Sequence, residues 1–201
     1  MSLPSLRLKA NADRRLRAGH LWVYSNEIDV AATPLNGFQA GDQAILEAAG
    51  GKPLGIVALS PNNLICARLL SRDVKLSLDK SLLVHRLNVC LSLRERLFDK
   101  PFYRLVYGDS DLLPGLVVDR FGDILVVQLA SATMERYKAD VMAALIQVIK
   151  PSGILFKNDS AARDAEGLER YVESAFGVVP EWVALEENGV KFEAPVMEGQ
   201  K

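Results

Sequence analysis

At 201 residues and 22.1 kDa, with 49% hydrophobic and 24% charged residues and a net charge of -1, the chain has the composition of a globular protein with room for one or two cores. That excludes a disordered or fibrous chain and a mini-protein held together by disulfides or metal. The charge is unevenly laid: residues 1–100 carry 14 Lys and Arg against 9 Asp and Glu, and residues 101–201 carry 10 against 16, so the first half is the one suited to a polyanion.

No run of eighteen apolar residues occurs, and no apolar stretch follows Arg7 and Lys9, so a cytoplasmic protein without a membrane partner is expected. The opening stretch sets Arg7, Lys9, Arg14, Arg15 and Arg17 against one acid, Asp13, and reads as a short basic helix, either a solvated face or a phosphate-binding surface. In residues 19–25, Trp22 and Tyr24 alternate with Leu21 and Val23 as in a strand. Gly41-Asp42 opens an apolar run to Ala49, Gly50-Gly51 turns the chain, and residues 53–59 and 64–70 read as two more strands around a 60–63 loop. Short strands at this spacing predict a small β-barrel over residues 1–73, a shape that binds nucleic acid through a basic rim and stacking aromatics. The phosphate-binding candidates are the five opening cations, with Arg68 and Arg72 on the last strand as secondary contacts; His20, Trp22 and Tyr24 would stack on bases or fix the strand. Trp22 ranks below the arginines, because a large aromatic in a small barrel also serves as core.

Residues 76–98 read as a helix capped by Asp79, with Leu82, Leu83, Leu87, Leu91 and Leu97 at helical spacing and Lys80, Arg86, Arg94 and Arg96 leaving it basic. It would serve as a helical linker over residues 74–100. His85, on this helix, lacks an acid or thiol partner in the pattern and is taken as structural. After a strand at 103–107 comes GDSDLLPG (108–115), where Asp109 and Asp111, with Asp119 and Asp123 beyond, suit either a hard cation or turn formation; the spacing is not that of an EF-hand, and turn chemistry is favoured. Residues 116–130 read as a hairpin about Phe121-Gly122-Asp123, residues 133–149 as a helix ended by Pro151, and residues 154–156 as a strand. Residues 101–180 therefore form a small α+β domain of strand, strand, helix and strand. Residues 181–201 hold a hairpin turned by Asn188-Gly189 in type I′ geometry. Cys66 and Cys90 sit in apolar runs 24 residues apart and are expected to be buried thiols rather than a disulfide or metal pair.

The RRLRAGHLWVYSNEI stretch (14–28), with Gly41-Asp42 and GIVALSP (55–61), resembles the N-terminal PUA domain of the 23S rRNA (cytosine-C5)-methyltransferases, the large-subunit methyltransferase I family; Leu21 stands where proline is usual. YRLVYGDSDLLPGLVVDRFGD (103–123) is similar to the family's central domain, with Asp109 for the commoner glutamate and Leu112 for the commoner glycine. The 158–168 segment resembles another family stretch, in which Lys157-Asn158 replace an arginine, and ENGVKF followed by GQK resembles the lead-in to the family's S-adenosylmethionine domain. The resemblance implies an RNA-docking N-terminal part of a longer enzyme, with rRNA as partner and S-adenosylmethionine bound elsewhere. The catalytic cysteine motif implied for cytosine C5 methylation lies downstream, so neither cysteine here is catalytic. Consistent with this, residues 1–201 contain no G-x-G-x-x-G, phosphate-binding loop or G-x-S-x-G, and no catalytic, cofactor or metal residue is assigned. Two alternatives remain: a stand-alone RNA-binding or ribosome-assembly protein without activity, and a carboxylate-dependent hydrolase built on Asp109, Asp111 and Asp119.

Overall fold

A computed structural model describes residues 3–187 and 189–198. The first body is a five-stranded sheet of β1 (Ser5–Arg7), β2 (Trp22–Tyr24), β3 (Gln43–Glu47), β4 (Pro53–Leu59) and β5 (Ile65–Ser71), ordered β1-β3-β4-β5-β2. Only β1 and β3 run parallel. The chain after β2 returns to β1: the Lys9 amide donates to the Glu27 carbonyl (2.9 Å), the Asp29 amide to that of Arg7 (2.9 Å), and Leu8 bridges Ile28. The sheet thereby closes around Leu6, Leu46, Val57, Leu59 and Cys66, all buried. Of the basic opening stretch only Arg14–Arg17 is helical (α1); Ser5–Arg7 is a strand. The alternation of Ser5 and Arg7 with the buried Leu6 and Leu8 carries that strand, and the density of cations hides it.

The second body is a sheet of β6 (Phe102–Tyr107), β7 (Leu116–Phe121), β8 (Ile124–Leu129), β9 (Gly153–Asn158) and β10 (Tyr171–Gly177), ordered β10-β9-β8-β7-β6. The parallel β8–β9 pair is joined by α3 (Ala132–Arg136) and α4 (Lys138–Ile149), while α2 (Lys80–Leu97) runs along the same face as α4. Leu125 and Val127 enter the core beneath the helices with Leu87, Leu105 and Leu145. Their neighbours Ile124 and Val126 face the hairpin of β11 (Trp182–Glu187) and β12 (Val190–Pro195) with Val183 and Leu185. Burial on both faces is why β8 reads as a continuous apolar run. The hairpin pairs as the sequence predicts; the Asn188 half of the predicted turn lies outside the described residues, as does the GQK segment.

Three differences from the expectations have physical causes. Strand β10 has no apolar alternation to reveal it, because it is the sheet's edge and Val172, Glu173 and Ser174 are exposed. The 133–149 helix is two pieces that part at Tyr137, whose hydroxyl accepts from Gln43 Nε2 (2.7 Å) in the barrel. Nor does α2 present all its cations to solvent: Arg94 grips Asp111 with both terminal nitrogens (2.9 and 2.7 Å), and Arg86 is 8% exposed. Asp79 caps α2 as expected, accepting from the Leu82 amide (2.8 Å), and His85 is exposed.

The outer face of β4–β5 continues into the second body, since Ile56, Ala58 and Leu70 share a core with Leu78 and Leu83. Arg86 donates to the carbonyls of Leu70 and Leu112, one in each body. Glu166 accepts from Ser60 Oγ (2.9 Å), Asn63 Nδ2 (2.8 Å) and the Ala132 amide (3.2 Å). Gly55, at a positive φ of 152°, passes so close to β5 that a Cβ would collide with the Ser71 carbonyl.

Candidate nucleic-acid interface

Helix α1 and strands β2 and β5 gather most of the sequence-predicted set. Val23 enters the barrel, which sends Trp22 and Tyr24 to the outer face. Trp22 is 41% exposed, so the core reading of this residue is wrong and its rank beneath the arginines is removed. It stands opposite Arg68 in the β2–β5 register. The Arg15 guanidinium lies over the Tyr24 ring at 4.8 Å, and His20 is exposed between α1 and β2.

The seven cations fall into two classes that the sequence does not distinguish. Arg7, Arg15 and Arg17 each meet a carboxylate: Glu47 at 3.0 Å, Glu27 at 3.4 Å and Asp13 at 2.6 Å. The Arg17 hydrogen bond holds the Asp13 carboxyl below the usual carboxylate range, and the Ser5 hydroxyl followed by Arg7 does the same for Glu47. Of the other four, Lys9, Arg14 and Arg72 make no ion pair among the described residues, and Arg68 makes only a long one. Lys9 Nζ donates to the Asn26 carbonyl (2.9 Å), Arg14 to Asn11 Oδ1 (3.3 Å) and Arg72 to the Leu16 carbonyl (3.0 Å). Arg68 is 4.0 Å from Asp109 and makes no hydrogen bond among the described residues. Pairing to a neutral oxygen leaves the charge of Lys9, Arg14 and Arg72 without a direct ion pair, and that of Arg68 is only loosely matched by Asp109. Arg7 lies apart from the others, at the β1–β3 edge.

The aspartates do not form one site. Asp111 binds Arg94 and the Tyr107 amide (2.7 Å), Asp119 takes Arg104 (2.8 and 3.3 Å), and Asp109 faces Arg68. Each carboxylate is turned to a different arginine, which removes the hydrolase reading; no cluster of His, Cys, Asp and Glu suited to a metal occurs among the described residues. Leu112, where the resembling family carries glycine, keeps the left-handed backbone (φ 58°, ψ 25°) at the cost of Cβ strain. The sequence reading passed over Tyr107, which is 56% exposed with Arg104 over its ring at 5.2 Å. Its place at the end of an alternating strand, next to the Asp109 turn, is the signal that could have found it.

The carboxyl ends of the parallel β8–β9 pair do not form a glycine-lined cofactor crevice. An α/β cofactor site needs an open crevice at the carboxyl ends of parallel strands, approached through a glycine-rich turn. Here β8 runs through Ala130-Ser131 into α3 with no glycine. The ends of β8 and β9 are filled: the Leu129 amide donates to Asn158 Oδ1 (2.7 Å), and the buried Arg163 donates to the Leu129 carbonyl and to Glu135 (2.9 Å). Both thiols are buried, and burial pushes Cys66 up to about 11 and Cys90 up to about 12. No helix among the described residues is long and apolar enough to cross a membrane.

Residues 6–72 match the family of PUA-like domains. Among curated relatives, the Ribosomal RNA large subunit methyltransferase I of Pseudoalteromonas translucida is 33% identical over 199 residues, covering 96% of this chain and 49% of the relative. That of Aliivibrio fischeri strain MJ11 is 34% identical over 202 residues, covering 98% and 50%. The chain thus spans about half the length of the curated relatives it matches. A solved structure described as a SAM-dependent methyltransferase from Streptococcus mutans superposes with a TM-score of 0.80 at 21% identity, covering 98% of this chain and 50% of that one. A second, described as a methyltransferase complexed with SAH, gives 0.80 at 20% identity over 98% and 49%.

Proposed function

From a chain that carries a PUA-like domain and is related along nearly its whole length to about half of a Ribosomal RNA large subunit methyltransferase I, we propose that residues 1–201 dock rRNA for a cytoplasmic S-adenosylmethionine-dependent cytosine-C5 methyltransferase. The observation that carries the reading is the set of three cations that make no ion pair among the described residues, Lys9, Arg14 and Arg72, with Arg68, loosely paired to Asp109 at 4.0 Å, gathered around α1, β2 and β5 beside the exposed Trp22. Uncompensated cations release counterions from phosphates, and an exposed aromatic offers a stacking face. In this reading the cofactor and the methyl-transfer chemistry are supplied from outside residues 1–201, which the filling of the β8–β9 ends by Asn158 and Arg163 supports. The barrel sets the RNA, and its shared core with the second body fixes the angle at which that RNA is presented.

Titration of the chain with a labelled large-subunit rRNA fragment at a series of salt concentrations tests this. Binding with log K falling linearly in log salt, and no methyl transfer from labelled S-adenosylmethionine by residues 1–201 alone, is expected. Absence of RNA binding at low salt overturns the docking role, and methyl transfer by this chain alone overturns the placement of the chemistry elsewhere.

A further inference from the structure

The RNA surface does not stop at the barrel. We infer that single-stranded RNA crosses from the barrel onto the second sheet along Trp22, Arg68 and Tyr107, one base stacking on each aromatic and the intervening phosphate taken by Arg68. The inference rests on the RNA-docking reading and extends it to a body and a residue that reading does not use.

Arg68 is the pivot. Its side chain is only partly exposed, yet its guanidinium makes no hydrogen bond among the described residues, and its one ionic contact, Asp109, is at 4.0 Å. A partly buried guanidinium with free donors is a preorganised seat for a phosphate, which offers bidentate geometry at shorter range than the carboxylate now there. Trp22 lies across the β2–β5 register from it and is 41% exposed. On the other side, Asp109 lies in the turn that follows Tyr107, so the second exposed aromatic is two residues from the acid facing Arg68. Tyr107 is held in place: Arg104, locked by Asp119, stacks on the ring at 5.2 Å, and 56% of the residue still meets solvent.

One acid on the path opposes a phosphate: Asp111 is bound by Arg94 and Asp119 by Arg104, whereas Asp109 is only loosely matched, with an Oδ1 that is buried without a hydrogen-bond partner among the described residues, and a phosphate must displace it from Arg68. An aromatic, a loosely paired guanidinium and a second aromatic in succession match the alternation of base and phosphate along a single strand; a duplex keeps its base faces stacked inside and cannot use the two rings.

The test is fluorescence anisotropy with labelled dodecauridylate and with an RNA duplex of equal length, using Trp22→Ala, Tyr107→Ala, Tyr107→Phe and Arg68→Gln. Tighter binding of the single strand than of the duplex is expected, with about 5- to 150-fold weaker binding for each alanine variant and the salt slope unchanged by the loss of either ring. Tyr107→Phe should bind as the parent does, which separates stacking from a structural defect, and Arg68→Gln should lower the slope by about 0.7. Unaltered single-strand affinity in Tyr107→Ala, while the parent still binds RNA, overturns the crossing and leaves barrel docking standing. Equal affinity for duplex and single strand also overturns it. Failure of the parent to bind any RNA, the rRNA fragment included, overturns the docking reading itself.

Discussion

Replacing Arg86 by methionine isolates what holds the two bodies at a fixed angle. The guanidinium is 8% exposed, and burial lowers its pKa, so the folded protein already bears a desolvation cost there. That cost is offset by hydrogen bonds to the carbonyls of Leu70 in the barrel and Leu112 in the second body. Hydrogen bonds from a charged donor contribute about 1.5–3 kcal/mol each, and a carbonyl left unpaired in the interior costs about 1–3 kcal/mol. Methionine fills much of the volume and removes the buried charge, so the net loss falls near 3 kcal/mol, between a neutral swap and the 3–5 kcal/mol of a broken buried pair. For a chain of this size that is a drop in Tm of about 6–12 °C. Urea and thermal unfolding followed by circular dichroism measure it, with Arg86→Lys as the comparison, since one ammonium cannot fork to both carbonyls and should recover part of the loss. A change smaller than about 1 kcal/mol in Arg86→Met would refute the clamp.

Three further outcomes follow from particular residues. Leu112→Gly relieves the positive φ at an exposed position and should raise Tm by about 1–2 °C, the strain relief slightly exceeding the added chain entropy; a fall in Tm counts against strain at that turn. Because the folded carboxyl of Glu47 titrates below its ordinary value of 4.5, its contribution is present above that pH and lost as pH falls; acid unfolding should therefore be shallower in Glu47→Gln between about pH 5 and 3, and parallel curves would contradict the Ser5 and Arg7 contacts. With thiols raised to about 11 and about 12 and buried, Cys66 and Cys90 should resist a thiol-specific chromogenic reagent at neutral pH in the native state and react fully in denaturant; prompt native labelling would place either one at the surface.

Strands β3, β4, β5, β7 and β8, helix α2 with its Asp79 cap and the terminal hairpin were legible, because each combines apolar periodicity with a turn or cap at its end. The edge strands β2 and β6 were also legible, whereas the edge strands β1 and β10 were not. The alternation in β1 is short and masked by the density of cations, and β10 is mostly exposed and carries none. The basic stretch was visible as composition, but which cations are free depends on contacts such as Glu47 to Arg7, forty residues apart, and these follow from the parallel β1–β3 pairing. Buried Arg86 likewise reads as one of the cations of a basic helix until the carbonyls it binds are brought together by the fold. Trp22 was ambiguous, and Tyr107 was not singled out, for a related reason: an aromatic on a strand is core or surface according to which face the register buries.

Comparing the salt dependence of rRNA-fragment binding for two multiple variants addresses the docking claim most directly. One removes the cations with no ion pair or only a long one (Lys9→Gln, Arg14→Gln, Arg72→Gln and Arg68→Gln), and the other removes those closely matched by carboxylates (Arg7→Gln, Arg15→Gln, Arg17→Gln). The first should flatten the slope of log K against log salt by about 3 units and the second by less than about 1. Equal flattening by the two sets, or a greater effect from the matched set, would contradict the assignment of phosphate binding to the uncompensated cations.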